Sequence, residues 1–273
     1  MAIEGFAPAK INLTLHVTGR RDDGYHLLDS LVVFADVGDT LEFTPGPELS
    51  MSIAGEHAKG VPADDKNLVW KAAVAAGWTG HINLNKALPH GGGIGGGSSD
   101  AAATLRMIAD QGVEFPSEIA LTLGADVPVC MVAKATRMQG IGERLQPLSL
   151  PQLPALLVNP GVEVPTGAVF SALQSRDNPP MPDDIPIFET SEACADWLRE
   201  QRNDLEPPTK SIAPEVARVL DDLSDTKDVL LARMSGSGST CFALYPTMKA
   251  AHFAAYEIGA AHPDWWCRAT QLN

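Results

Sequence analysis

A run of six glycines within seven positions constrains the fold of this chain more than any other feature. The stretch PHGGGIGGGSSDAAATL, residues 89–105, passes directly from these glycines into a helix-forming segment. Glycine costs roughly 0.5–1 kcal/mol relative to alanine in an ordered element, because it loses the most conformational freedom on folding. So many adjacent glycines indicate either a disordered linker or a backbone that must approach another group closely.

Three interpretations of this glycine loop are open. A flexible linker is disfavoured, because a helix follows it at once. A dinucleotide-binding turn is disfavoured although Gly91, Gly93 and Gly96 satisfy G-x-G-x-x-G, since Pro89 and His90 separate the glycines from the preceding strand. The favoured interpretation is a loop that wraps polyphosphate, with backbone N–H groups and a helix start as the anion receptor. The lysine of a Walker A loop is missing.

The helix after the glycine loop is predicted at Ala101–Ala109. Ser98, Ser99 and Asp100 supply residue types that favour an N-cap. The hydroxyls of Ser98 and Ser99 also offer contacts to a phosphate oxygen or a bound Mg²⁺ ion, and Ser99 is the candidate metal ligand.

A second short helix is predicted a little further along the chain. Ser117 is its expected N-cap and Gly124 its expected stop. Asp126 follows, and Pro128 is expected to open another helical turn.

Strict alternation of apolar and polar residues from Lys10 to Thr18 predicts a half-buried strand with Lys10 and Asn12 on its polar face. The rest of the chain mixes strands and helices in an α+β pattern. Further strands are expected at Ser30–Val37, His81–Asn85, residues 155–161, both ends of Val229–Tyr245 and Cys267–Asn273. A capped helix is expected at Pro165–Leu173, and a further helix at Thr247–His262.

A composition shift at Pro147–Pro154 predicts two domains, residues 1–149 and residues 150–273. Within the second domain, the segment Asp177–Pro186 is predicted to be a proline-rich, acidic surface loop.

Composition places the 273-residue chain among globular proteins, with 45% hydrophobic and 20% charged residues. A formal net charge of −14 disfavours nucleic acid and anionic membranes as partners. Four scattered cysteines indicate reduced thiols without a metal site. We see no signal peptide and no apolar run of the ~20 residues that a membrane span needs. A cytoplasmic protein is therefore expected.

Taken together, these motifs resemble the GHMP kinase superfamily. The similarity covers nearly the whole chain, with the first family motif at residues 7–34, the second at residues 88–102 and the third at residues 232–245. Leu123–Pro128 and Asn203–Glu206 match as well. Within the first motif, the pattern G-R-R-x-D-G-Y-H is similar to that of the members that act on 4-diphosphocytidyl-2-C-methyl-D-erythritol.

The resemblance implies a two-domain α+β GHMP kinase fold. Its N-terminal domain would be like ribosomal protein S5 domain 2, and its C-terminal domain would be ferredoxin-like. It also implies transfer of the ATP γ-phosphate, with Mg²⁺, to the 2-hydroxyl of the cytidyl alcohol, a step of the non-mevalonate route to isopentenyl diphosphate. The turn Met234–Ser239 would close over the phosphates of the substrate. The chain departs from the family at Cys130 and Ala133, where Phe and Gly are frequent, which concerns local packing.

By position, the resemblance implies that Lys10 and Asp126 are the catalytic pair. Asp126 would accept the hydroxyl proton, and Lys10 would hydrogen-bond Asp126 and offset charge on the transferring phosphoryl group. Asn67 and Lys86 fall where the family contacts the nucleoside. The implied phosphate loop consists of His90, Gly91, Gly92, Gly93, Ile94, Gly95, Gly96, Gly97, Ser98, Ser99 and Asp100.

The resemblance also implies a site for the cytidyl alcohol. Tyr25 and Phe170 would sandwich cytosine and His26 would read the edge of the base, while Asn12 and Thr166 would make other substrate contacts. Without the resemblance, aromatic residues are more often part of a core.

Two alternative functions stay open. One is a GHMP kinase that phosphorylates another alcohol, such as a sugar or an amino acid, and the other is a catalytically silent nucleotide-binding module. Lys10 and Asp126 argue against the silent module. A small-molecule substrate is expected, with the chain acting as a monomer or a homodimer.

Overall fold

A computed structural model describes residues 3–116 and 118–273, so the predicted cap Ser117 lies outside the described residues. The strands are β1 (Ile3–Asn12), β2 (His16–Arg20), β3 (His26–Pro45), β4 (Ser50–Ala54), β5 (Gly80–Asn85), β6 (Thr136–Gly140), β7 (Arg144–Pro147), β8 (Leu153–Asn159), β9 (Leu231–Met234), β10 (Cys241–Leu244) and β11 (Trp266–Leu272). The helices are α1 (Leu68–Ala75), α2 (Gly96–Asp110), α3 (Ile119–Leu123), α4 (Val127–Val132), α5 (Thr166–Ser171), α6 (Ser191–Arg199), α7 (Glu206–Ile212), α8 (Pro214–Ser224) and α9 (Met248–Ala261).

The chain divides into two compact units that are discontinuous in sequence. The first unit contains the chain up to Lys10 together with Val37–His90 and Gly95–Ala133. The second unit contains Ile11–Asp36, Gly91–Ile94 and Lys134–Asn273. The domain boundary between residues 149 and 150 stays a prediction.

The first unit combines a small sheet with helices α1 to α4. The C-terminal half of β3 pairs antiparallel with β5, and β4 pairs parallel with β5. Alternate residues of these strands are buried, including Leu41, Phe43, Ile82 and Leu84, as a period of two requires of a sheet with one face on a core. Phe43 also meets Trp78 edge to face, with ring centroids 5.6 Å apart.

The short helices of the first unit end and begin where the sequence predicts. Gly124 follows the last residue of α3, and Pro128 lies in the first turn of α4, where a missing N–H costs nothing. Helix α4 ends at Ala133, which adopts the left-handed conformation with φ of 48°. This conformation accounts for the glycine that is frequent at this position in the family, because glycine takes it without strain, and nothing in the structure explains the alanine.

The second unit contains two groups of paired strands. In one group, β2 and β6 both pair antiparallel with the N-terminal half of β3, and β7 pairs with β6. In the other, all neighbours are antiparallel in the order β9-β10-β8-β11, and the chain connects them as β8–helices–β9–β10–α9–β11. This β-α-β-β-α-β arrangement confirms the expected ferredoxin-like element. Its core contains Leu156, Val158, Met234, Tyr245 and Ala251, among others.

The strand predicted from Lys10 to Thr18 is interrupted, and it is buried through Val17, which corrects the expected half-buried strand. β1 ends at Asn12 and β2 begins at His16. Asn12, Thr14 and His16 are each at most 1% exposed. These polar side chains are buried because each has a hydrogen-bond partner, as Thr14 Oγ1 has in the N–H of Leu31 at 2.8 Å.

The acidic segment Asp177–Pro186 is mostly exposed and has no regular structure, as predicted, but Met181 within it is buried. A buried ion pair of the second unit holds this part of the chain. Arg137 makes a bidentate contact with Asp29 at 2.9 and 2.7 Å and also donates to the carbonyl groups of Met181, Pro182 and Asp183. The bidentate geometry suits a guanidinium and a carboxylate.

All four cysteines are free, as the sequence predicts. Cys130, Cys194 and Cys241 are buried and Cys267 is half-buried. Among the described helices, none combines the length and the apolar character that crossing a bilayer requires.

Candidate active site

An ammonium–carboxylate pair joins β1 to the start of α4 in the first unit. Lys10 Nζ donates to Asp126 Oδ2 at 2.6 Å. Only 5% of the Lys10 side chain is exposed, against 35% of the Asp126 side chain. Burial of an ammonium group without a counter-ion is expensive, so Lys10 depends on this contact. Asp126 combines a fixed position with a carboxylate that small molecules can still reach.

Helix α2 begins directly beside Lys10. Gly95 precedes the helix in the left-handed conformation with φ of 66°, and no side chain caps the helix. A Cβ on Gly95 would lie 3.0 Å from the Cβ of Lys10. The first N–H groups of a helix have no partner within the helix, and here they follow residues without side chains. This end of α2 therefore has the geometry of an anion-binding site.

The predicted capping role of Ser98, Ser99 and Asp100 is wrong, because α2 begins at Gly96 and includes all three residues. Ser99 is fully buried, and its hydroxyl donates to the carbonyl of Pro8 at 2.7 Å. Burial keeps this hydroxyl from solvent and so disfavours Ser99 as a metal ligand, but that role stays a prediction.

A buried acid–lysine cluster, consisting of Asp39, Lys86 and Asp100, lies under the same helix end. Lys86 Nζ donates to Asp39 Oδ2 and, at 2.7 Å, to Asp100 Oδ2. Asp39 Oδ1 accepts hydrogen bonds from the N–H groups of Ala87 and Leu88 at 2.6 and 2.9 Å. All three side chains of the cluster are at most 3% exposed. The Lys86 ammonium is thus occupied by carboxylates, which limits the direct nucleoside contact expected of it.

The charges in this cluster do not balance, since two carboxyl groups share one ammonium. Burial raises the pKa of Asp100 to about 7 from its usual 3.8, and Asp39 adds to this rise although Lys86 opposes it. Burial disfavours the charged form of Lys86, but Asp100 and Asp39 outweigh burial and raise the pKa of Lys86. Asp100 Oδ1 is buried with no hydrogen-bond partner among the described residues.

Two other predicted nucleotide contacts have structural partners in the first unit. Asn67 caps α1, accepting from the N–H of Val69 at 2.9 Å and donating to the carbonyl of Pro62 at 2.8 Å. His90 is exposed, and its Nε2 lies 2.5 Å from the carbonyl oxygen of His57.

The first half of the glycine loop, Gly91–Ile94, belongs to the second unit and packs on the turn between β9 and β10. The N–H of Thr240 donates to the carbonyl of Gly92 at 3.0 Å, and Ser235 Oγ donates to the carbonyl of Gly93 at 3.0 Å. A Cβ on Gly93 would lie 2.8 Å from Gly238 N and closer still to the Ser235 carbonyl. Glycine is required at Gly93 because another backbone occupies the space of its side chain.

Four of the predicted substrate contacts lie in the second unit near its surface. His26 stacks on Phe170, with ring centroids 4.6 Å apart and an interplanar angle of 22°. Tyr25 is 58% exposed. The ring that faces Phe170 is thus His26, where the sequence leads us to expect Tyr25 to face it across cytosine. Thr166 Oγ1 lies 2.9 Å from Ser237 Oγ in the turn after β9.

The surroundings of His26 disfavour its protonated form. Burial lowers the pKa of His26, and the positive charges of Arg20 and Arg176 lower it further. A neutral imidazole keeps one ring nitrogen as a hydrogen-bond acceptor. His26 Nε2 is buried with no hydrogen-bond partner among the described residues.

Sequence reasoning missed the residues that hold the predicted site residues in place. Asp39 fixes Lys86, and Ser30 and Ser235 contact Asn12 at 2.8 Å through its side chain and at 3.1 Å through its backbone N–H. The only local signal is their position within or next to the motifs, and their partners are distant in sequence.

Two family models match the chain, and their positions agree with this architecture. The model described as "GHMP kinases N terminal domain" matches residues 67–136, and that described as "GHMP kinases C terminal" matches residues 190–264. The fold is therefore that of the GHMP kinases. A solved homoserine kinase from Cytophaga hutchinsonii has the same fold, with a TM-score of 0.64. At 18% identity, over 98% of this chain and 94% of its own, the likeness shows the fold and nothing more.

Relatives of higher sequence identity indicate the family within the GHMP kinases. A relative from Dinoroseobacter shibae, named 4-diphosphocytidyl-2-C-methyl-D-erythritol kinase, is 57% identical over 99% of this chain and 95% of its own length. One of the same name from Ruegeria pomeroyi is 52% identical over 98% of each chain. A solved 4-(cytidine 5'-diphospho)-2C-methyl-D-erythritol kinase superimposes with a TM-score of 0.78 at 34% identity, covering 99% of both chains. The chain belongs to the family of 4-diphosphocytidyl-2-C-methyl-D-erythritol kinases.

Two glycines in the first half of the glycine loop, Gly91 and Gly93, offer a matched test of the backbone contact at Gly93. Gly91 and Gly93 have positive φ values of 59° and 70°, but nothing lies within 4 Å of a Cβ on Gly91. Gly91→Ala and Gly93→Ala therefore share the conformational penalty of roughly 1–2 kcal/mol. Gly93→Ala adds a steric conflict and should lower the free energy of unfolding by roughly 1–3 kcal/mol more in urea titrations. Equal losses in the two variants would contradict the packing described.

The acid–lysine cluster predicts a pH-dependent stability. Folding raises the pKa of Asp100 above its ordinary value, so this carboxyl stabilises the fold fully below about pH 4, and that contribution is lost as the pH rises through about 7. Asp100→Asn keeps a neutral group of the same shape at every pH. Its free energy of unfolding, relative to the unsubstituted chain, should increase from about pH 5 to about pH 8.

Urea titrations at the two pH values measure this difference. Asp110→Asn, at the exposed end of the same helix, is the matched control for the loss of one carboxylate. The same stability difference for Asp100→Asn at both pH values would show that folding does not raise the pKa of Asp100.

Proposed function

We propose that this chain is an ATP-dependent kinase that phosphorylates the 2-hydroxyl of 4-diphosphocytidyl-2-C-methyl-D-erythritol. The Lys10–Asp126 contact at 2.6 Å, beside an uncapped helix that begins with glycines, is the observation that carries the proposal of phosphoryl transfer. Identity above 50% to relatives with that name, over nearly the whole chain, supports the choice of alcohol. The reaction would be a step of the methylerythritol phosphate route to isopentenyl diphosphate.

The start of α2 would bind the triphosphate. Its first N–H groups and its dipole favour negative charge, and no acidic residue lies in the first turn. The loop from His90 to Asp100 would supply further backbone N–H groups, because six of its residues carry no side chain. Phosphoryl transfer demands chiefly positioning and charge stabilisation, which such a rigid set of donors can provide.

Asp126 would accept the proton of the attacking hydroxyl. One carboxylate oxygen receives the Lys10 ammonium, while the side chain remains 35% exposed and open to a substrate. Lys10 would orient this carboxylate and offset negative charge on the transferring phosphoryl group. Direct in-line transfer needs no covalent intermediate on the protein.

Mg²⁺ would enter with ATP as part of the co-substrate. This ion keeps several waters and is bound mainly by phosphate oxygens with one or two carboxylates, so it does not need a cage of protein ligands. The partly exposed Asp126 carboxylate fits that chemistry, whereas the buried Ser99 hydroxyl does not. Within the described ranges, no three His, Cys, Asp or Glu side chains are grouped to hold a metal ion.

The cytidyl alcohol would be recognised by residues of the second unit. Tyr25 presents an exposed ring, and Phe170 presents a ring that stacks on His26. Stacking of a base on an aromatic ring contributes ~1–3 kcal/mol, so either ring would add substantially to affinity. The unpartnered His26 Nε2 fits an edge contact with cytosine. Asn12 and Thr166 would contact other parts of the substrate.

We further propose a cytoplasmic enzyme that acts as a monomer or a homodimer on small molecules. The formal net charge of −14 supports the expectation that neither nucleic acid nor an anionic membrane is a partner.

The choice of alcohol is tested by a coupled assay for ADP release. With ATP and Mg²⁺ present, we expect turnover that requires the cytidyl alcohol, and at least about a hundredfold lower kcat/KM with homoserine or mevalonate. Comparable turnover of homoserine, or no preference for the cytidyl group, would favour a kinase of another alcohol. ATP binding without transfer to any of these would favour a silent module.

The role of Asp126 is tested by Asp126→Asn, which keeps the shape of the side chain but cannot accept the hydroxyl proton. We expect kcat to fall on the order of 10²–10⁴, with ATP affinity changed little. The exposed Glu118→Gln is the matched control and should retain full activity. Thermal unfolding checks that the variant is folded, and a folded Asp126→Asn variant with unchanged kcat would exclude Asp126 as the base.

A further inference from the structure

The Asn12 side chain is locked in one orientation by a residue outside the predicted site. Asn12 Nδ2 lies 2.8 Å from Ser30 Oγ, and Ser30 Oγ donates its hydrogen to the carbonyl of Thr14 at 2.5 Å. A hydroxyl has a single hydrogen, so Ser30 can only accept from Asn12. The group of Asn12 that faces Ser30 must therefore be the NH₂ group, and the oxygen must face away.

The amide oxygen that this arrangement leaves over has no partner. Asn12 is 1% exposed, and its Oδ1 is buried without a hydrogen bond among the described residues. Unpaired buried acceptors are costly, and most buried polar atoms of native proteins have a partner in the protein, in ordered water or in a bound group. The missing partner must be a donor, since Oδ1 can only accept.

The space beside this oxygen is bounded by glycine backbone. A Cβ on Gly236 would lie 3.3 Å from Asn12 Oδ1 and 2.7 Å from the carbonyl of Gly93. The backbone of Asn12 is held as well, because its N–H donates to Ser235 Oγ at 3.1 Å. The backbone and the side chain of Asn12 are thus both fixed. Its oxygen faces the place in the second unit where Gly91–Ile94 packs on the turn between β9 and β10.

We propose that Ser30 is a positioning residue, which fixes the Asn12 amide so that Oδ1 accepts a hydrogen bond from a hydroxyl group of the alcohol substrate. This inference rests on the proposed function, because it takes the ligand of Asn12 to be that alcohol. Ser30 itself does not touch the substrate. Its hydroxyl, fully buried and 18 residues from Asn12 in sequence, selects a hydroxyl donor over an acceptor at this position.

Steady-state kinetics of Ser30→Ala test the proposal. The cytidyl alcohol is varied at saturating ATP, and ATP is then varied at saturating cytidyl alcohol. The amide of Asn12 loses its acceptor and its fixed orientation, so we expect KM for the alcohol to rise about tenfold and KM for ATP to change less than about twofold. Ser30→Thr keeps the hydroxyl and should restore most of the affinity. Ser191→Ala removes a buried hydroxyl from α6 and is the matched control.

A double-mutant cycle with Asn12→Ala separates positioning from a general structural effect. If Ser30 acts through Asn12, then Ser30→Ala should have no further effect on KM for the alcohol in the Asn12→Ala background. An effect of the same size in both backgrounds, or an unchanged KM in Ser30→Ala alone, would overturn the proposal. Ser30→Cys, with a weaker acceptor of similar size, replaces Ser30→Ala if that variant does not fold.

A readout without substrate distinguishes this inference from the proposed function. In NMR spectra of the ¹⁵N-labelled chain, the Asn12 side-chain NH₂ signals, assigned through Asn12→Ala, should be protected from hydrogen exchange and lose that protection in Ser30→Ala. Unprotected signals in the unsubstituted chain would contradict the locked amide whatever the activity. Failure of the unsubstituted chain to turn over the cytidyl alcohol, with protected signals, would overturn the substrate assignment while retaining the locked amide.

Discussion

The contact between Lys10 and Asp126 is the interaction on which the proposed phosphoryl transfer depends. A lysine that is 95% buried needs a counter-ion, and Asp126 at 2.6 Å supplies it while remaining partly open to solvent. The same pair fixes β1 against the start of α4, and Gly95 lies directly against the Lys10 side chain. One electrostatic requirement thereby brings a partly exposed carboxylate to the glycine-rich end of α2.

In each unit, considered by itself, side chains of the proposed site are fixed by neighbouring residues. In the first unit, Asp39 accepts from the Lys86 ammonium and from two backbone N–H groups, which fixes the chain just before the glycine loop. In the second unit, Ser30 and Ser235 hold the side chain and the backbone of Asn12. Such supporting contacts keep donors and acceptors aligned without rearrangement during the reaction, which is the main demand of phosphoryl transfer.

The sequence predicts those parts of the molecule whose cause is local. Glycine content and helix propensity predict the glycine loop and the helix at Ala101–Ala109, whereas the ferredoxin-like order of elements is implied by the family resemblance. The start of α2 was misplaced because the left-handed Gly95 begins the helix before the serines are reached. The prediction of a half-buried strand is wrong because its polar residues have hydrogen-bond partners such as Ser30. The alternation of polar and apolar residues does not reveal such partners. The catalytic and substrate roles rest on the resemblance and stay proposals, and the geometry of these residues follows from contacts distant in sequence.

A crystal structure with a non-hydrolysable ATP analogue and Mg²⁺ tests the central claim most directly. The account predicts that the terminal phosphates accept hydrogen bonds from the backbone N–H groups of the glycine loop and the first turn of α2. It also predicts that the γ-phosphate faces the partly exposed carboxylate of Asp126. A triphosphate bound away from these N–H groups, with Asp126 remote from its terminal phosphorus, would contradict the account.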